Sequence, residues 1–78
     1  MKNEECIIAF GVHLKALRKK YNISQQDLAD DADIDKKTVQ RIENSQINPS
    51  LDILFSLAFA LKITLSELLQ FEYPERQD

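Results

Sequence analysis

Seventy-eight residues at 9.0 kDa leave room for one small domain and none for a large α/β enzyme with a deep substrate pocket. One glycine and two prolines argue against many short strands, while 44% hydrophobic and 29% charged residues predict an all-α globular unit rather than a disordered segment. The formal net charge of −3 argues against a uniformly basic polyanion binder, yet seven of the ten Lys and Arg residues fall between Lys15 and Arg41, which leaves room for a locally basic face on an acidic protein.

Small polar residues announce five helix starts, because their side-chain oxygens can accept from the orphaned N–H groups of a first turn. Asn3 heads a predicted helix over 4–20, with Phe10, Leu14 and Leu17 on one side. Ser24, followed three places on by Asp27, opens 25–32 with Leu28, Ala29 and Ala32 facing inward. Asp35 opens 36–44. Ser50, after Pro49, opens 51–62 with Leu51, Leu54, Leu57, Ala58 and Leu61 as its apolar line. Thr64 and Glu67 read as a capping box for 65–71. Ile23, Ile34, Val39, Ile42, Ile63, Leu65, Leu68 and Leu69 complete the expected core. A domain of 1–71 is predicted, followed by a loose polar tail, 72–78, that carries Pro74.

Helices 25–32 and 36–44 are joined by only Asp33, Ile34 and Asp35, which is the spacing of a helix-turn-helix. Asp33 must make the turn, where a positive φ is usual. At ~100° per residue, Val39 and Ile42 define the buried side of the second helix and leave Lys37, Gln40, Arg41 and Asn44 opposite, with Lys36 beside them. No acid or aliphatic residue interrupts this face. Lys and Arg suit guanine O6/N7, and Gln and Asn suit adenine N6/N7. Simple solvation also explains a polar face taken alone; its place on the second of two tightly joined helices favours DNA. Glu43 falls close to the buried side and needs a cation, for which Arg18 on the first helix is the candidate.

Arg18, Ser24-Gln25-Gln26-Asp27-Leu28-Ala29, Ala32-Asp33-Ile34-Asp35, Val39-Gln40-Arg41-Ile42-Glu43-Asn44 and Asn48-Pro49-Ser50-Leu51 together resemble the phage repressor and Cro-like helix-turn-helix family, also called the XRE family. The resemblance covers about residues 8–71. It implies a five-helix, lambda-repressor-like DNA-binding domain, acting as a homodimeric transcriptional regulator on a palindromic operator with helix 36–44 in the major groove. Carried over by position, Gln25, Lys36, Lys37, Gln40 and Arg41 are the expected base-facing set. Gln26, Asn44, Gln46 and Asn48 are the expected phosphate contacts, and Arg18 with Glu43 the structural salt bridge. The family's usual glycines are replaced here by Asp33, Ser45 and Lys62. Asp30, Asp31, Asp33 and Asp35 form an acidic run beside the reading surface, expected either to serve solubility or to suppress binding to random DNA.

Phe55 and Phe59 are an i, i+4 aromatic pair, joined by Ile53, Leu65 and Phe71. One reading makes these five a homodimer interface; the other has them fill the core under the N-terminal helix, where Ile7 and Ile8 need company. A protein-interaction module on the same fold, such as an antitoxin-type partner binder with weak or no DNA affinity, is the alternative function. Cys6 and His13 lie about 10 Å apart along one helix face, too far to share a metal or a proton. No Gly-rich loop, cofactor motif or catalytic constellation is present, so no enzyme, metal, cofactor or small-molecule ligand is expected. A lone cysteine, a longest apolar run (Ile53–Leu61) about half of the ~20 residues a span requires, and no signal pattern predict a cytoplasmic protein without a membrane partner.

Overall fold

The computed structural model describes residues 3–74, and five helices follow one another: α1 (Glu4–Lys20), α2 (Gln25–Ala32), α3 (Lys36–Glu43), α4 (Leu51–Leu61) and α5 (Leu65–Leu68). Three begin as their sequences predict. The side-chain oxygens of Ser24, Ser50 and Thr64 accept from the N–H groups of Asp27 (3.0 Å), Ile53 (3.2 Å) and Glu67 (3.0 Å). The Glu67 carboxylate returns a bond to the Thr64 N–H at 3.2 Å, completing the capping box. Asn3 and Asp35 depart from expectation, since neither side chain makes a cap bond. Their carbonyls start the helices instead, accepting from Ile7 and Thr38 at 3.0 and 2.9 Å.

Four helix ends share one device. Asn22, Asp33, Ser45 and Lys62 adopt φ of 55°, 56°, 60° and 59°, the left-handed region in which a side chain costs about 1 kcal/mol or more. After each, the next N–H reaches back five residues: Ile23 to Arg18, Ile34 to Ala29, Gln46 to Arg41 and Ile63 to Ala58, at 2.9, 3.0, 2.7 and 3.0 Å. These are Schellman closures with no glycine at any of them. Ile23, Ile34 and Ile63 then pack against the core, which adds the apolar contact that usually accompanies the motif.

The core joins Phe10 and Leu14 of α1, Leu28, Ala29 and Ala32 of α2, Val39 and Ile42 of α3, Leu57, Ala58 and Leu61 of α4, and Leu68 of α5. α2 packs on α3 and α4, α1 on α3, and α4 on α5. The predicted core is corrected at two positions: Leu51 and Leu69 are exposed. Apolar residues nearly surround α4, and the neighbouring helices cover only the side that carries Leu57, Ala58 and Leu61.

Helices α3 and α4 each end one residue earlier than predicted, with Asn44 and Lys62 as their caps. α5 ends three residues earlier, because the chain turns Phe71 onto α1. The Phe71 ring stacks on His13 at 5.1 Å and meets Phe10 at 5.7 Å. The expected tail is corrected in its first residues. Tyr73 lies 5.2 Å from Phe71, and the Cys6 thiol donates to the Pro74 carbonyl at 3.7 Å, so 72–74 fold back on α1. Residues 75–78 of that tail lie outside the described residues. Among the described residues no helix is long and apolar enough to cross a membrane, and no His, Cys, Asp and Glu cluster could hold a metal ion.

Candidate nucleic-acid interface

The α2–α3 pair is held by fully buried apolar contacts. Leu28 and Ala29 of α2 and Val39 and Ile42 of α3 are all buried in the one core where these two helices pack together. With that side of α3 fixed inward, Lys36, Lys37, Arg41 and Asn44 stand exposed on the other and Gln40 is half-buried between them. None of the three cations forms an ion pair among the described residues. Their charge is therefore available to an anion. Gln46 and Asn48 continue this surface along the loop towards α4 and are also exposed.

α3 is held from behind by an ion pair. Arg18 Nε donates to Glu43 Oε2 at 2.8 Å and a second guanidinium nitrogen donates to Oε1 at 3.1 Å, which is bidentate geometry. The Glu43 side chain is 2% exposed and that of Arg18 12%. The third guanidinium nitrogen donates to the Ile23 carbonyl at 3.1 Å, so one side chain ties α1, the α1–α2 loop and α3 together. Hydrogen bonding to Glu43 raises the Arg18 pKa above its already high ordinary value, with help from the attraction of the carboxylate and against partial desolvation.

Gln25 and Gln26 begin α2 beside this pair, and their side chains are already engaged. Gln25 Nε2 donates to Glu43 Oε1 at 3.1 Å, while its own Oε1 accepts from Gln40 Nε2 at 3.5 Å. Gln25, expected among the base-facing residues, is thus half-buried behind Gln40, with both ends of its amide bonded. Gln26 is exposed and donates to Asp30 Oδ1 at 2.9 Å. The other expected contacts, Lys36, Lys37, Gln40, Arg41, Asn44, Gln46 and Asn48, lie along α3 and the loop that follows it.

Gly11 went unread in the sequence. It is buried where α1 crosses the end of α3, and a Cβ there would meet the carbonyl oxygens of Ile42 and Glu43 at 2.6 and 3.0 Å. Only a residue without a side chain allows α1 so close to α3. Being the one glycine in the chain and lying inside a helix was the available signal.

The residues expected to form a dimer interface divide. Phe55 and Phe59 are 44% and 79% exposed and, with Leu51, a residue expected in the core that is 61% exposed, form an apolar stripe at i, i+4 and i+8 of α4. Ile53, Leu65 and Phe71 are half-buried against the core, Phe71 under the N-terminal helix.

A helix-turn-helix family model matches residues 14–68. The control protein C.MunI of a Mycoplasma species is 45% identical over 62 residues, covering 78% of this chain and 84% of that protein. The immunity repressor of Bacillus phage phi105 is 36% identical over 58 residues, 74% of this chain but only 40% of the repressor. Among solved structures, the restriction–modification controller C.AhdI from Aeromonas hydrophila superposes with a TM-score of 0.77 at 37% identity, over 80% of this chain and 94% of that one.

Proposed function

The chain belongs to the helix-turn-helix family of DNA-binding transcriptional regulators, and we propose that it works as a homodimer on a palindromic operator, with α3 in the major groove of each half-site. The observation that carries this reading is the acid-free outer face of α3, which the Arg18–Glu43 pair and the core hold on the surface. Lys36, Lys37, Gln40 and Arg41 reach base edges, with Gln25 behind them. Gln26, Asn44, Gln46 and Asn48 meet phosphates on either side. The predicted domain 1–71 then serves as the DNA-binding unit.

The exposed stripe Leu51, Phe55 and Phe59 supplies the self-complementary surface of the dimer. A twofold axis there places two reading helices about one DNA turn, ~34 Å, apart. Similarity to two controller proteins over most of the length of each supports a restriction–modification controller setting.

Selection of bound duplexes from a random pool identifies the operator, and titration with that duplex tests the reading. Affinity should fall steeply with salt, and Lys37→Ala or Arg41→Ala should each weaken binding by ~1–3 kcal/mol while the helical content stays unchanged. A folded protein that enriches no sequence and binds duplexes without salt dependence would instead be a protein-interaction module.

A further inference from the structure

The hydrogen bonds behind α3 have a direction. Both Glu43 oxygens accept from Arg18, so the carboxylate has no proton to give and acts only as an acceptor. Gln25 must therefore turn its NH2 group towards Glu43, as the 3.1 Å bond to Oε1 shows. That leaves the Gln25 carbonyl facing Gln40, to which Gln40 can present only its own NH2 group, at 3.5 Å. The sense of each amide in the row follows from the buried charge at its end. Gln40 keeps one N–H and its Oε1 for the groove, the neighbouring donor and acceptor that adenine N7 and N6 match. An amide free to turn about its last torsion can also offer its carbonyl to cytosine N4 or its NH2 group to guanine, with the same reach.

We infer that Gln25 is a positioning residue for base specificity: it transmits the acceptor polarity of the Glu43 carboxylate to Gln40 and fixes which way round the Gln40 amide meets a base pair. The inference rests on the proposal that Gln40 faces DNA. It assigns Gln25 no base of its own. At 3.5 Å the bond to Gln40 is long, and what it contributes is orientation rather than stability.

The test compares base preferences of the full chain with those of Gln40→Ala and Gln25→Leu, each measured by selection from a random duplex pool and by titration of single-base operator variants. Gln40→Ala should abolish preference at one base pair in each half-site. Gln25→Leu should flatten preference at that same pair by fivefold or more, leave every other pair unchanged, and weaken binding to the best duplex severalfold. Gln25→Met, which keeps the bulk and an unbranched stem, should give the same pattern and takes the place of Gln25→Leu if that variant loses helical content. Undiminished preference at that pair in the folded Gln25 variants would overturn the inference, as would lost preference at a different pair, because Gln25 would then touch a base itself. If Gln40→Ala leaves every position as it was, the premise that Gln40 reads DNA fails and the inference falls with it.

Discussion

Gly11→Ala sets two well-measured effects against each other. Within a helix, alanine is favoured over glycine by ~1 kcal/mol, so an isolated α1 would gain from the change. In the folded chain the new methyl would lie 2.6 Å from the Ile42 carbonyl oxygen, 3.0 Å from that of Glu43 and 3.2 Å from Ser45 Oγ. The first two neighbours are backbone at the end of α3 and cannot rotate away. Restoring an ordinary carbon–oxygen separation requires α1 and α3 to part by roughly half an ångström or more, and overpacking of this kind costs ~1–3 kcal/mol. Two close backbone contacts place the cost in the upper half of that range, which leaves a net loss of ~1–2 kcal/mol after the helix gain. For a domain this small, Tm should fall by ~5–15 °C. Because the displaced element is the reading helix, operator affinity measured at 15 °C, with the variant fully folded, should also drop. A circular-dichroism melt in which Tm is unchanged or raised, with operator affinity preserved, would refute the claim that the α1–α3 crossing depends on the missing side chain.

Three further outcomes follow from the same geometry. Glu43→Leu should lose ~3–5 kcal/mol in urea unfolding, because the largely buried Arg18 charge loses its counterion and the Gln25 NH2 group its acceptor, whereas combining it with Arg18→Met should recover most of the loss; a single-variant cost under about 1 kcal/mol would show that the pair holds little. Lys62→Gly should raise stability by ~0.5–1 kcal/mol by relieving a left-handed residue, and the same change at Asn22 should do much less, since asparagine tolerates that conformation; equal effects at the two sites would contradict the strain argument. Asp30→Asn with Asp31→Asn should strengthen binding to random DNA at low salt if the acids beside the reading surface repel phosphate, and an unchanged non-specific affinity would remove that role.

The helix starts at Ser24, Ser50 and Thr64 were legible because a cap is a contact within four residues. The left-handed turns at Asp33, Ser45 and Lys62 were legible as places where the family that the sequence resembles usually carries glycine, while the one at Asn22 had no such marker. Arg18–Glu43 could be argued because a charge on the inner side of a helix demands a partner. Other features depend on how helices cross. The bonds from Gln25 to Glu43 and Gln40 join residues 18 and 15 apart, and their existence depends on where α2 sits on α3. Gly11 meets α3 only through the packing of α1, and the exposure of Leu51 and Leu69 reflects which sides of α4 and α5 are covered. Periodicity cannot choose a face on α4, where apolar residues occur nearly all round.

The reading surface can be located directly by following backbone amide resonances during titration with the selected duplex. If α3 enters the groove, the largest shifts fall at Gln25 and Gln26 and from Lys36 to Asn48, with α5, Glu72 and Tyr73 unmoved. Shifts centred on the first turns of α1 or on the Leu51–Phe59 stripe, with α3 silent, would contradict the assignment of that helix to DNA.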